Sequence, residues 1–188
     1  MAARTFLALD IDSAARSRLA AVCQQLGRAG ARVRWVVPEN LHVTLNVLGD
    51  VADEKLVEVC EVVSAAAGQI EPFDFEVCGV LCVPPAGRLR MFWAGVEEAA
   101  GRMEHLYQRL NDGLAGMDLH RDNRPFKPHI TLGRVRFAKN DRELRRQAEN
   151  LTEQKFGPQR AGQVVVYTSK LTPAGPVYTP VAGAELGG

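Results

Sequence analysis

The chain predicts an α+β fold with mainly antiparallel sheets, built from two similar halves around a central cleft. Three observations carry this. Helical and strand patterns alternate irregularly, with hairpin-like strand pairs instead of a regular strand–helix rhythm. A His-x-Thr-Leu pattern occurs twice, at His42-Val43-Thr44-Leu45 and at His129-Ile130-Thr131-Leu132. In each half a helix feeds a strand and then a His-x-Thr strand, which suggests an internal duplication with a pseudo-twofold axis. No Gly/Ser-rich or Pro-rich linker divides the chain, so residues 1–188 read as one bilobal domain.

Arg4 to Ile11 reads as the first strand. Asp12 or Ser13 caps a helix running to about Arg28, with Ala14, Leu19, Val22 and Leu26 near one face, closed by Gly27 and Gly30. Val33 to Val37 is a short strand, broken by Pro38-Glu39-Asn40, and the first His-x-Thr strand spans Leu41 to Leu48. Gly49-Asp50 is expected to turn the chain. Asp53 starts a helix carrying Leu56, Val59, Cys60 and Val63 inward. Pro72 to Gly79 and Met91 to Val96 are strands flanking a Pro84-Pro85-Ala86-Gly87-Arg88 loop.

A helix from about Glu97 to Leu114 follows, then a polar stretch, Asp118 to Lys127. The second His-x-Thr strand spans His129 to Val135. Asn140 or Asp141 caps a helix to about Lys155. A strand from Gln163 to Leu171, a Pro173-Ala174-Gly175-Pro176 turn and a short edge strand around Tyr178 complete the order, with a loose tail from Gly183 to Gly188.

Composition narrows the function. The 188 residues are 46% hydrophobic and 24% charged, enough for a real core. Net charge is +1, which argues against a broad electrostatic grip on long nucleic acid; a nucleic-acid contact would be local, at an end or a single phosphate. Cys23, Cys60, Cys78 and Cys82 form no CxxC pair and read as buried reduced thiols. No HxH, HExxH or paired-cysteine pattern points to a metal, and no glycine-rich phosphate loop is present. The N-terminal apolar run is too short for a signal peptide and no stretch has membrane length, so a soluble cytoplasmic monomer without a membrane partner is expected.

The chemistry lies in the repeated motif. Strand side chains alternate, so His42 and Thr44 share one face, as do His129 and Thr131, while Val43, Leu45, Ile130 and Leu132 face a core. An unperturbed imidazole titrates near 6.5, so one histidine can take a proton while the other gives one. That is equipment for breaking a phosphodiester without a metal or cofactor. Thr44 and Thr131 can donate hydroxyl hydrogen bonds to phosphate oxygens.

Arg134 lies five residues after His129, so strict alternation puts it on the opposite face. A bulge or twist near Gly133 would bring it round to the phosphate. The corresponding position after the first motif is Val47. Phe126-Lys127-Pro128 could present an aromatic or cationic rim, Trp35 either stacks on a base or fills the core, and Arg88 and Arg90 flank a flexible loop. His105 and His120 lack the motif and read as structural or exposed.

These residues resemble the two-histidine phosphoesterases, and within them the RNA 2',3'-cyclic phosphodiesterases historically called 2'-5' RNA ligases. Trp35 to Leu45 with Leu48-Gly49-Asp50-Val51 is similar to the first motif in its usual setting. Phe126 to Arg134 resembles the second, and Val166 to Leu171 with Gly175 and Tyr178 resembles the last hairpin. The resemblance implies two antiparallel sheets flanking a cleft, with helices outside. It implies His42 as proton donor to the leaving oxygen, His129 as the base activating water, Thr44 and Thr131 on the phosphate, and Arg134 assisting. The expected substrate is RNA ending in a 2',3'-cyclic phosphate, opened to a 2'-phosphomonoester, with 2'-5' ligation as the reverse path. Small cyclic phosphates or 2'-5' oligonucleotides are the alternative substrates, and a non-catalytic RNA-end binder is the alternative class. Asn46-Val47 departs from the family, which more often has an aromatic there.

Overall fold

The computed structural model describes residues 2–28, 32–120, 122, 124–137, 141–173 and 175–187. Among them the order is β1 (Ala2–Asp10), α1 (Ser13–Gly27), β2 (Arg32–Trp35), a 3-10 turn (Pro38–Asn40), β3 (His42–Ala52), α2 (Asp53–Ala67), β4 (Phe73–Val83) and β5 (Met91–Glu97). Then come α3 (Arg102–Gly113), β6 (His129–Phe137), α4 (Asp141–Glu149), β7 (Lys155–Ala161), β8 (Gln163–Thr172) and β9 (Gly175–Glu185). Gly30, Asn140 and Ala174, expected at a helix end, a cap and a turn, lie outside the described residues.

The two antiparallel sheets are arms of one continuous array, β7-β4-β5-β6-β3-β1-β8-β9, with β2 added beside β6. The arms join through a single residue pair, Val43 opposite Ile130. Each of these follows a motif histidine, so the joint holds both motifs at the centre. The pseudo-twofold relation extends outward, with β3 matching β6, β1 matching β5, β8 matching β4 and β9 matching β7. Helices α2 and α3 pack on the His42 arm, whereas α1 and α4 pack on the His129 arm.

Val43, Leu45, Ile130 and Leu132 are buried beneath the motif strands. Each contributes roughly 1.5–3 kcal/mol on burial. A one-residue slip of either strand would turn these residues into the cleft, so the motif faces are strongly specified.

Several boundaries differ from expectation, each for an identifiable reason. The chain does not turn at Gly49-Asp50: β3 runs to Ala52, with an extra residue accommodated where Thr5 pairs Gly49 and Phe6 pairs Val47. Likewise β4 continues past Gly79 to Val83, the glycine taking φ +68° at a bulge. Helix α3 begins at Arg102, because Glu97 still pairs with Glu76 in the sheet and the Glu98 carboxylate accepts from the backbone N–H groups of Ala100 and Met103. Helix α4 ends at Glu149, and Lys155–Ala161 forms an unexpected strand. Its Pro158 is tolerated because β7 is an edge. The tail is not loose: β9 reaches Glu185, with Ala184 and Leu186 buried. On α1, Ala15 is buried where Ala14 was expected inward. No described helix is long and apolar enough to cross a membrane.

Candidate active site

Both motif histidines are held the same way. His42 Nδ1 lies 2.8 Å from the Asn40 carbonyl and His129 Nδ1 lies 2.7 Å from the Lys127 carbonyl. A carbonyl only accepts, so each Nδ1 carries the hydrogen and, in the neutral ring, each Nε2 carries none. His42 Nε2 sits 3.0 Å from Thr44 Oγ1. In neutral His42 it accepts the threonine hydrogen; in the imidazolium it donates, freeing the Thr44 O–H for an anion.

The surroundings break the symmetry. His42 stacks on Phe6 at 5.0 Å and meets Tyr178 edge-on at 5.5 Å. His129 lies against Trp93 with ring centres 3.6 Å apart. Burial pulls both imidazoles below their ordinary value, opposed in each by the backbone carbonyl bond. Asp10 then favours the charged form of His42, against Arg16 and His129, whereas Arg124 and Arg134 favour neutral His129. Asp10 is directly opposite His42 in the sheet; the matching position opposite His129 is Gly95. Tyr167 donates its hydroxyl hydrogen to Asp10, 3.0 and 3.1 Å from the two carboxylate oxygens, and Arg16 stands 3.6 Å from one of them. Burial, with Asp10 nearby, pushes the Tyr167 phenol up to about 12, so it remains the donor.

The bulge expected near Gly133 is present. Trp93 pairs Thr131 while Phe92 pairs Gly133, leaving Leu132 as the extra residue. The side-chain phase slips there, so Arg134 returns to the face of His129 and Thr131. The first motif has the matching bulge at Leu45, between the Ala8–Thr44 and Leu7–Asn46 pairs. Val47 therefore faces the cleft as the counterpart of Arg134, and Asn46 is buried, its side-chain N–H donating to Asn111. The Arg134 charge reaches Tyr178 as well as His129.

Other expected residues have different surroundings. Trp35 stacks on buried Phe92 and serves the core. Phe126 stacks on Tyr107 of α3, 4.3 Å away, and Lys127 contributes its carbonyl to His129. Arg88 and Arg90 are exposed beside a loop closed by Arg145, whose guanidinium donates to the carbonyls of Pro84, Pro85 and Gly87. His105 and His120 are exposed. All four cysteines are free thiols, but only Cys23 is buried, which pushes it up to about 12; Cys60, Cys78 and Cys82, expected buried, are half-buried. Among the described residues, no three His, Cys, Asp or Glu side chains converge as a metal-holding group.

Asp10, Trp93 and Tyr167 did not stand out in the sequence. Their signal was latent in strand alternation, since Asp10 and Trp93 lie on the cleft face once their strands are registered against the motif strands.

Known proteins resemble this chain in sequence and fold. The family model described as "LigT like Phosphoesterase" matches residues 9–93 and again 95–178, one match per half. An "RNA 2',3'-cyclic phosphodiesterase" of Methanothermobacter thermautotrophicus is 35% identical over 179 residues, covering 95% of this chain and 96% of that protein. One of the same name from Archaeoglobus fulgidus is 33% identical, covering 93% and 96%. Among solved structures, TT0787 of Thermus thermophilus superposes with a TM-score of 0.82 at 26% identity, covering 97% of each chain. E. coli LigT complexed with 3'-AMP superposes at 0.74 and 25%, covering 99% of each. The duplicated match, the end-to-end relatives and the shared architecture place this chain in the LigT-like phosphoesterase family.

Proposed function

We propose that this protein is an RNA 2',3'-cyclic phosphodiesterase that opens terminal cyclic phosphates to 2'-phosphomonoesters without a metal or cofactor. The observation that carries the reading is the pair of imidazoles with Nδ1 locked and Nε2 presented, set in opposite electrostatic surroundings. His129, beside two arginines, is the one kept neutral: its Nε2 takes a proton from water as the water oxygen bonds to phosphorus. His42, whose charged form Asp10 favours against the pull of burial, is the acid: once protonated, its Nε2 gives a proton to the departing 3' oxygen as the P–O3' bond breaks. The products are a 2'-phosphomonoester and a 3' hydroxyl. Thr44 and Thr131 donate to the non-bridging oxygens, and Arg134 offsets their charge. Ligation in a 2'-5' bond is the parallel path in which a 5' hydroxyl replaces water as the nucleophile and O3' leaves in the same way, disfavoured by water at tens of molar. Relatives named for this activity, and a neighbour complexed with 3'-AMP, support the substrate class. Four free thiols fit a reducing cytoplasm, and we take the protein to act there as a monomer.

The test is a short RNA ending in a 2',3'-cyclic phosphate, incubated in excess EDTA, with the product phosphate located by 31P NMR. Turnover to a 2'-phosphate is expected. A 3'-phosphate product, or activity lost to EDTA and restored by one metal, would overturn the mechanism.

A further inference from the structure

The pairing of β2 with β6 places Arg34 directly opposite Arg134. Like charges directly opposite one another in a sheet are destabilising. Neither arginine has a carboxylate within salt-bridge distance among the described residues. Arg34 points to the cleft side, because its neighbours Val33 and Trp35 crowd the opposite face, where a Cβ on Gly133 would lie 2.8 and 2.7 Å from them. Its guanidinium reaches across to the β8–β9 hairpin, 3.3 Å from where a Cβ on Gly175 would stand. Asn40, donating to the Pro176 carbonyl at 2.9 Å, pins that hairpin against the same segment. Tyr178, two residues further along, lies edge-on to His42 and feels the charge of Arg134. A row therefore runs from the histidines through Arg134 to Arg34.

The opposite end of β6 mixes charges, with Arg124 and Lys127 in the approach to His129. Pro128 and Phe126 border a cavity of about 430 Å³ whose rim carries Glu97, Glu98 and Glu104. A terminal cyclic phosphate leaves a single chain direction to accommodate, toward the 5' side. That chain is attracted where Arg34 and Arg134 stand together with no carboxylate beside them among the described residues.

We propose that Arg34 is a second phosphate subsite, gripping the phosphate on the 5' side of the nucleoside that bears the cyclic phosphate. Neighbouring strands lie about 4.8 Å apart, so the two side chains rise from adjacent points of one face, Arg134 reaching Met91 Sδ at 3.3 Å on the β5 side and Arg34 reaching toward Gly175, as two separate cations for two successive phosphates. A planar fork suits such bidentate contacts. The repulsion between the two arginines is relieved when the anions arrive. The inference rests on the phosphodiesterase reading and sharpens it: the preferred substrate carries a 5' phosphate or an upstream nucleotide.

The test uses two mononucleoside 2',3'-cyclic phosphates that differ in having a 5' phosphate or a 5' hydroxyl. Wild type should favour the 5'-phosphorylated one in kcat/KM by roughly 10- to 150-fold, the range for a hydrogen bond to a charged group. Arg34→Ala should bring that ratio close to one, and Arg34→Lys should retain part of it. On a trinucleotide ending in a cyclic phosphate, Arg34→Ala should also flatten the salt dependence of KM by about 0.7 in log–log slope, the share of one single-strand phosphate contact. A wild-type ratio near one, or a ratio preserved in Arg34→Ala, overturns the subsite while leaving the phosphodiesterase reading intact. Hydrolysis of neither compound nor the trinucleotide by wild type would instead bring down that reading. Arg34→Gln, which keeps the aliphatic stem and a polar end and removes charge, replaces the alanine variant if the latter does not fold.

Discussion

At the residue scale the proposed division of tasks between the two histidines rests on what lies beside each. His42→Ala and His129→Ala should each cost roughly 10²–10⁴-fold in rate, the usual span for general acid–base groups. His105→Ala and His120→Ala should stay near wild type; near-normal turnover by His129→Ala would make the second motif structural. Burial lowers both imidazoles in the free enzyme, so the bell-shaped kcat/KM profile should be centred below pH 6.5. The descending limb belongs to loss of the His42 proton. Asp10→Asn removes a charge that favours this proton, so that limb should move to lower pH, and a limb left in place would remove Asp10 from the reading. Thr44→Val and Thr131→Val keep strand shape and delete a hydroxyl. Each should lose about 10- to 150-fold in kcat/KM, with kcat falling too where the bond tightens in the transition state. Unchanged kinetics in both variants would mean that the hydroxyls only fill strand positions.

At the scale of elements, bulges decide which residues reach the cleft. The phase slips at Leu45 and Leu132 bring Val47 and Arg134 to the motif face, which simple alternation forbids. A further bulge, at Gly79, lets β4 run on under α4. There a Cβ would lie 2.4 Å from the Thr152 carbonyl oxygen, in a backbone region closed to most side chains. Gly79→Ala should therefore destabilise by more than about 1 kcal/mol in a denaturant titration. A neutral result would show that the α4–β7 connection yields easily. Strand β7 was missed because its Gly157-Pro158 pair reads as a breaker, and only its edge position makes it permissible.

At the scale of the molecule, the arms share one residue pair in the sheet, yet the helices bind them together. Helix α1 follows β1 of the His42 arm and packs on the His129 arm; α3 follows β5 of the His129 arm and packs on the His42 arm. Neither arm keeps its core if the other unfolds. We expect the bilobal chain to unfold as one cooperative unit. Fluorescence of Trp35 and Trp93, both on the His129 arm, should follow the same denaturant curve as far-UV circular dichroism. Two separated transitions would show independent lobes.

The repeated His-x-Thr-Leu, the apolar alternation around it and the order of helices and strands were legible without coordinates, because each is a local pattern set by side-chain period and turn chemistry. From these came the α+β class, the duplication and the placing of His42, Thr44, His129 and Thr131. The pairing of strands distant in sequence was not legible, and it alone sets Asp10 beside His42, Trp93 beneath His129, Arg34 opposite Arg134 and Tyr167 on Asp10. Register depends on how two buried faces and their bulges fit across a sheet, a tertiary constraint that no single strand encodes. The sequence thus determined the chemical groups, and the tertiary structure decided which histidine each charge addresses.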